Sequence, residues 1–369
     1  MKIDRRLFIN FDWVLPSLVL LICCIGLVNL YSIGHNLHHS VGAPSYVRQG
    51  YWILIGLVMM IVALSVDYNF IVRHGYLIYA GSILLLLVVF LHGRVAQGSQ
   101  RWLMLLGFSF QPSELIKLTL IIALARFFRD KDLSIQWGIR DLAVPLLILL
   151  LPSFLILIQP DLGTTLFLFI LFFSIISLFK IRRRLIKIFF VAGVILVPLG
   201  WFFMKEYQRK RLLSFLNPEM DPLGSGYHII QSMIAIGSGS FLGKGYMKGT
   251  QTQLKFLPEQ QTDFVFSVFA EEWGFLGVLV LMFLFLVLIL WGLDIARRSK
   301  DTSGMLIAYG VTVYIFWGIF INIGMVIGIL PVVGIPLPFL SYGGSSMVVL
   351  MMGIGLLINV SMRRFVLQP

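Results

Sequence analysis

Carboxylates close to basic residues are the first candidates for chemistry in this sequence. Asp263 stands at the start of a long apolar run, where the free amide groups of a helix N-terminus stabilise a carboxylate. A helix cap is therefore one explanation of Asp263. The other is a general base, because one carboxylate facing a basic surface suits an anionic, phosphorylated substrate. The basic residues of the loops around it are Arg48, Arg101, Arg209, Lys210, Arg211, Lys244 and Lys248.

Two more acidic motifs each allow a structural and a functional interpretation. Glu114 and Lys117 are one helical turn apart after Pro112, a residue that suits the first turn of a helix. They form either a buried pair that locks helix packing or the charged lining of a polar cavity. Asp161 follows Pro160 in a tight turn, where it either caps the next helix or belongs to a site.

Glu271 and Glu272 stand about two turns beyond Asp263 in the same apolar run. Carboxylates in such a run must find partners or become protonated. Adjacent positions of a helix point in different directions, so we expect the two side chains to have separate roles. The adjacent Cys23 and Cys24 are interpreted as packing residues, without a disulfide or a metal site.

The elements that position these residues are predicted to be transmembrane helices. Of the 369 residues, 59% are apolar and 12% are charged, whereas a soluble domain is about one quarter charged. We therefore predict an all-α polytopic membrane protein that forms a single domain over residues 1–369. The eighth apolar run exceeds the length of a simple crossing and must be tilted or extended. About ten runs can span a bilayer, near residues 13–33, 50–66, 75–92, 111–128, 142–159, 161–180, 185–204, 264–294, 303–330 and 344–362.

The distribution of Lys and Arg sets the predicted orientation. With the N-terminus inside, the inner segments carry 18 Lys and Arg residues, and the short outer loops carry only Arg48, Arg94 and Arg101. This asymmetry places both termini in the cytoplasm and makes residues 205–262 a large extracytoplasmic loop between spans seven and eight. Within the loop, Tyr227–Gly237 is predicted to be a helix, either interfacial or packed on the outer helix ends. The same clustering accounts for the net charge of +12 without a nucleic acid partner.

Seven strings, in order along the chain, resemble the shape, elongation, division and sporulation family of cell-wall polymerases, and most closely its elongation branch. They are GSQRW at 98–102, FQPSELIK at 110–117, QPDLGT at 159–164, YQR at 207–209, DPLGSGYHIIQS at 221–232, GTQTQLKFLPEQQTDF at 249–264 and PLPFLSYGG at 336–344. The resemblance implies a ten-span enzyme of the bacterial cytoplasmic (inner) membrane, with its active face outside the cytoplasm. That enzyme polymerises lipid II into glycan strands. Its implied partners are a class B penicillin-binding protein, which cross-links the strands, and other membrane proteins of the elongation complex.

The resemblance also maps roles onto residues of this chain. The family's essential aspartate corresponds to Asp263, and its other sensitive positions correspond to Arg48, Arg101, Glu114, Lys117, Asp161 and Arg209. Two departures are visible: Gln261 stands where family members commonly have His, and Gly239-Ser240 stands where many have two glycines. Neither departure touches Asp263.

We therefore predict an inverting glycosyl transfer with Asp263 as general base on the 4-hydroxyl of the acceptor GlcNAc. The predicted substrate-binding residues are Arg48, Arg101, Glu114, Lys117, Asp161, Arg209, Lys244 and Lys248. A divalent cation, Mg or Mn, stays open, because Asp263 could equally be its ligand. Two alternatives remain: a lipid II flippase, which needs polar residues along a whole transmembrane path, and a noncatalytic scaffold, which leaves Asp263 unexplained.

Overall fold

The computed structural model describes residues 11–35, 43–96, 99–105, 108–131, 136–218, 224–254, 256–257 and 259–364. Within them, the helices are α1 (Val14–Gly34), α2 (Ser45–Ser65), α3 (Tyr68–Arg73), α4 (Gly75–His92), α5 (Pro112–Phe128), α6 (Ile139–Ile158), α7 (Leu162–Ile176), α8 (Arg183–Phe203), α9 (Glu206–Leu216), α10 (Ser225–Ser238), α11 (Thr250–Gln253), α12 (Val265–Arg297), α13 (Thr302–Val326) and α14 (Gly344–Arg363). Three short strands, β1 (Arg94–Ala96), β2 (Ser99–Leu105) and β3 (Phe108–Phe110), lie between α4 and α5.

Each of the ten predicted apolar stretches coincides with one long helix of the bundle. Among the described residues, seven helices are long and apolar enough to cross a membrane, and α4 and α7 are apolar but shorter. The tenth, α5, lies inside the bundle with most of its side chains buried. The predicted polytopic helical fold is thus confirmed, whereas the number of crossings stays a prediction.

Local sequence signals explain where several helices begin. Asp67, Asp161 and Asp301 precede α3, α7 and α13, and each carboxylate accepts a hydrogen bond from a backbone amide of the first turn. The capping interpretation of Asp161 is therefore confirmed. Pro112 occupies the first turn of α5, where a missing N–H costs nothing.

The three strands were not predicted from the sequence. They form an antiparallel sheet in the order β1-β2-β3, with Arg94 opposite Trp102 and Leu103 opposite Phe110. The chain reverses here between two apolar helices. Pairing the strands lets their amide and carbonyl groups bond to each other.

Helix α12 is broken at Gly274, whose backbone has φ +63° and ψ −165°. Along α1, Asp12 bonds to Trp291, Asn29 to Val265 and Ser32 to Glu272. Asn29 and Ser32 meet Val265 and Glu272 in the same order, so the half before Gly274 runs in the same sense as α1. Trp291 is much further along α12 but meets Asp12 at the start of α1, so the half after Gly274 runs back. The long eighth stretch is therefore a broken helix. Glu271 and Glu272 lie at its break and not deeper in a continuous span.

The break is closed by a segment that we call the clasp, residues 239–253. Four backbone hydrogen bonds of 3.0–3.1 Å join residues 240–245 to residues 271–276. Gly243 has φ +81°, and a Cβ atom there would lie 2.1 Å from the carbonyl oxygen of Glu272. The clasp satisfies the amide and carbonyl groups that the broken helix leaves free, and it needs glycine at the crossing.

Helix α10 covers the predicted Tyr227–Gly237 helix and packs against α12 and α13. Ile229 and Ala235 are buried, and Ser232 bonds to Ser267 and to the carbonyl of Val326. One face of α10 is therefore packed on helix ends, as one of the two interpretations held. Met233 and Ile234 stay partly exposed, at 41% and 45%.

Candidate functional site

The backbone around Asp263 is held by two buried polar side chains. Asn322 donates to the carbonyl oxygen of Asp263 at 3.1 Å and to that of Ile335 at 2.8 Å. The hydroxyl of Ser341 donates to the carbonyl of Thr262 at 2.6 Å and accepts the amide of Leu337 at 2.8 Å. The 331–343 segment and α13 thus fix the position from which the Asp263 side chain projects.

The Asp263 carboxyl group is partly buried and has an unusual acidity. Burial raises its pKa from 3.8 to about 6, the nearby charge of Glu259 adds to the rise, and Arg211 opposes it. Gly334 has φ +75°, and a Cβ atom on it would lie 3.4 Å from Oδ2 of Asp263. A carboxyl group with a pKa just below neutral is ionised at pH 7 and can still take up a proton during a reaction.

A small cleft of about 90 Å³ lies beside this carboxylate. We call it the basic cleft; its polar lining is Arg101, Asp161, Tyr207, Gln208 and Arg211, and Val332 and Val333 form another wall. Val333 directly precedes Gly334, whose backbone lies close to the Asp263 carboxylate, so the cleft and the carboxylate are neighbours.

The wall around Asp161 is built from a turn and three side chains. Arg101 pairs with the carboxylate of Asp161 at 3.4 Å and donates to the carbonyl of Pro160 at 2.8 Å. The hydroxyl of Tyr207 donates to the same carbonyl at 2.8 Å. Asp161 therefore holds Arg101 in place, because the same carboxylate is itself fixed by Thr164 at 2.9–3.0 Å.

Arg211 connects the basic cleft with Asp263. Its guanidinium lies 3.5 Å from the carbonyl of Val332, and its charge acts on the Asp263 carboxylate. The side chain is exposed, so it is free of the core and can reach a bound anion. A planar guanidinium in this position suits a phosphate group.

The other predicted site residues are distributed elsewhere. Arg209 caps the end of α8 by donating to the carbonyls of Trp201 and Phe202 at 2.9 Å. Lys244 forms an ion pair of 2.7 Å with Glu271, which also accepts from Thr250 and from the Gln251 amide. Arg48 and Lys248 are exposed.

Glu114 and Lys117 are in the core of the bundle. Their side chains pair at 2.6 Å, and Lys117 is 2% exposed. The ammonium lies 4.8 Å from the centre of the Phe167 ring, and Tyr314 donates to Glu114 at 3.4 Å. This geometry favours the packing interpretation of the pair, and a direct contact with substrate stays a prediction.

Sequence reasoning named Arg211 only as one of several basic loop residues, and it predicted no contact of Glu259, Asn322 or Ser341 with Asp263 or its backbone. One signal was present: Tyr207 and Arg211 are four residues apart on α9, so they share a helix face. Asn322 and Ser341 act through contacts over 59 and 79 residues of sequence separation, and no local pattern reveals such contacts.

The described residues contain no group of three or more His, Cys, Asp or Glu side chains that could hold a metal ion. Asp263 and Glu259 offer two neighbouring carboxylates. Hydrated Mg²⁺ is commonly held by one or two carboxylates together with substrate phosphates. These two residues fit a cation of that kind, which would supply charge to a departing diphosphate.

Fold and site together define a multi-pass helical membrane protein with a carboxylate beside a basic cleft. The family model FTSW_RODA_SPOVE, described as "Cell cycle protein", matches residues 12–365. The chain belongs to this family, as the sequence motifs predicted.

Curated relatives and solved structures agree with this assignment. The chain is 44% identical over 322 residues to the Escherichia coli (strain K12) protein "Peptidoglycan glycosyltransferase MrdB", covering 86% of this chain and 85% of that protein. It is 34% identical to "Peptidoglycan glycosyltransferase RodA" of Treponema pallidum (strain Nichols), covering 96% and 98%.

A chain from a peptidoglycan synthase complex, solved in work on the coordination of polymerization and crosslinking, superimposes with a TM-score of 0.81 at 34% identity. The match covers 96% of this chain and 98% of that one. The crystal structure of Thermus thermophilus RodA, a rod shape determining protein, gives a TM-score of 0.71 at 29% identity, with the same coverage.

Proposed function

We propose that this protein is a peptidoglycan glycosyltransferase that polymerises lipid II into glycan strands during cell elongation. The names of the relatives support the reaction class, and the likeness to MrdB and RodA supports the role in elongation. The single observation that carries the mechanism is the carboxyl group of Asp263, with a pKa of about 6, beside the arginines of a basic cleft.

In the proposed step, Asp263 accepts the proton of the 4-hydroxyl of the acceptor GlcNAc. The oxygen of that hydroxyl forms a bond to the anomeric carbon of the donor sugar. The bond between the anomeric carbon and the diphosphate oxygen breaks, and its electron pair leaves with undecaprenyl diphosphate. Attack opposite the leaving group inverts the configuration at the anomeric carbon.

The leaving diphosphate gains negative charge, which cations must stabilise. Arg101 and Arg211 are the proposed diphosphate ligands because both line the basic cleft. Asp161 positions Arg101, and the exposed Arg48 and Lys248 are proposed to contact the substrates farther out. The remaining predicted residues then act as positioning residues: Lys244 through the clasp, Arg209 at the end of α8, and the Glu114–Lys117 pair in the core of the bundle.

The proposed location is the bacterial inner membrane, with both termini in the cytoplasm and residues 205–262 outside. The asymmetry of Lys and Arg along the chain supports this orientation. The proposed partner is a class B penicillin-binding protein, which would cross-link the strands. Its support is the likeness to a chain of a peptidoglycan synthase complex.

The test is polymerisation of purified lipid II by the purified protein, with and without its partner, and with Asp263→Asn as the variant. General-base assistance contributes roughly 10²–10⁴-fold, so the variant should lose at least about a hundredfold of the rate. Lys210→Gln serves as a control because Lys210 is exposed and pairs with Glu206 of the same helix. Normal polymerisation by the Asp263→Asn protein would refute the proposal.

A further inference from the structure

A second cavity, of about 540 Å³, lies at the other end of the bundle, where α1 begins and α12 and α14 end. Its lining consists of Asp12, Val287, Leu290, Trp291, Asp294, Ile295, Arg298 and Arg364. None of these residues takes part in the proposed reaction. Under the proposed orientation, this end of the bundle faces the cytoplasmic leaflet.

The polarity of the cavity changes in one direction along α12. Val287, Trp291, Asp294 and Arg298 follow one another at intervals of three or four residues, so they share one helix face. They cover about 16 Å, at 1.5 Å per residue. The order is apolar, then aromatic, then charged, which matches the layers of a leaflet from the acyl chains through the interface to the headgroups.

The charges of the cavity cancel. Arg298 and Arg364 contribute two positive charges, and Asp12 and Asp294 contribute two negative ones. Asp294 pairs with Arg298 at 2.8 Å, and Asp12 accepts from the indole of Trp291 at 2.8 Å. Each carboxylate has about four acceptor sites, so both can bind a further donor.

We propose that this cavity binds a zwitterionic phospholipid with a primary ammonium group, of the phosphatidylethanolamine class. The phosphate contacts Arg298 and Arg364, and the ammonium donates to Asp12 and Asp294. One acyl chain lies along Val287 and Leu290. An anionic lipid is disfavoured because it brings no ammonium group to the two carboxylates, so its negative charge stays unbalanced in a cavity whose own charges cancel.

The test is native mass spectrometry of the purified full-length protein with lipids of identical acyl chains. Phosphatidylethanolamine should be retained in preference to phosphatidylglycerol, which lacks the positive charge, and to phosphatidylcholine, which lacks the N–H donors. Asp294→Asn and Arg364→Gln should each weaken retention about tenfold, which corresponds to about 1.4 kcal/mol. The matched control is Arg297→Gln, which removes the same charge from an exposed neighbour outside the cavity.

Leu290→Trp provides a second test that leaves every charge in place. Leu290 is 56% exposed, so the fold should tolerate the larger side chain, which fills the apolar half of the cavity. Retention of phosphatidylethanolamine should fall here too. Equal retention of the three lipids, preference for phosphatidylglycerol, or unchanged retention by the variants would overturn the proposal.

Discussion

Asp263 combines a functional advantage with a cost in stability. Folding raises the pKa of its carboxyl group from 3.8 to about 6. The protonated form therefore favours the folded state, and this contribution is complete below about pH 4 and is lost as the pH rises through 6. At neutral pH the ionised carboxylate destabilises the protein while serving as a base.

Arg211 is expected to act on the leaving group and on Asp263 at the same time. Arg211→Gln should slow lipid II polymerisation by roughly a hundredfold, the usual effect of removing one preorganised group that stabilises developing charge. It should also raise the pKa of Asp263 further, because the opposing positive charge is gone. The rate and its pH dependence, compared with those of Lys210→Gln, provide the check. A rate equal to that of Lys210→Gln would contradict the role.

Ser341 is expected to position Asp263 without touching substrate. Ser341→Ala removes two buried hydrogen bonds, which should cost about 1–3 kcal/mol of stability. Because the Thr262 carbonyl loses its anchor, kcat should fall while the KM for lipid II changes little. Ser238→Ala, which removes a bond to Ala235 within the same helix, is the control. A changed KM with an unchanged kcat would contradict this role.

At the scale of elements, the broken helix α12 and the clasp form one unit. The half-helix between Asp263 and Gly274 stands between the carboxylate and the clasp. Its orientation depends on the backbone bonds at the break and on the ion pair of Lys244 with Glu271. The clasp is therefore expected to influence Asp263 although it lies outside the basic cleft.

Lys244→Met should destabilise the protein, because it leaves the fully buried Glu271 without its cation. Breaking a buried pair on one side typically costs about 3–5 kcal/mol, and the remaining donors to Glu271 favour the lower value. The double variant Lys244→Met with Glu271→Gln should recover much of the loss. Thermal unfolding in detergent measures both. Equal stability of Lys244→Met and wild type would show that the ion pair does not hold the clasp.

For the whole molecule, hydropathy predicted the helices well because lipid requires long apolar segments. It did not predict the break at Gly274, since apolar residues stand on both sides of that position and an isolated glycine is tolerated within a helix. The three strands were missed because their pairing depends on a chain reversal and not on composition.

The sequence predicted which residues belong to the candidate site better than it predicted how those residues are arranged. Asp263, Arg101 and Asp161 were named from the sequence, and the structure places them at or beside one cleft. Glu114 and Lys117 were named with them but lie in the core. Sequence spacing shows which residues share a helix face, whereas it does not show which helices converge.

The core pair of Glu114 and Lys117 is expected to support the whole bundle. Lys117→Met leaves the buried Glu114 carboxylate without its cation and should cost about 3–5 kcal/mol. Adding Glu114→Gln should restore most of the stability, measured by thermal unfolding. If polymerisation recovers together with stability in the double variant, the pair has a structural role. A stable but inactive double variant would instead support a direct role in the reaction.

The pH dependence of kcat/KM for lipid II polymerisation tests the central claim most directly. An essential base with a pKa of about 6 predicts a constant rate above pH 7 and a tenfold fall for each pH unit below about 6. Glu259→Gln removes a neighbouring negative charge and should move the midpoint to lower pH. A rate that stays constant down to about pH 4.5, where such a carboxyl group is protonated, would contradict the account.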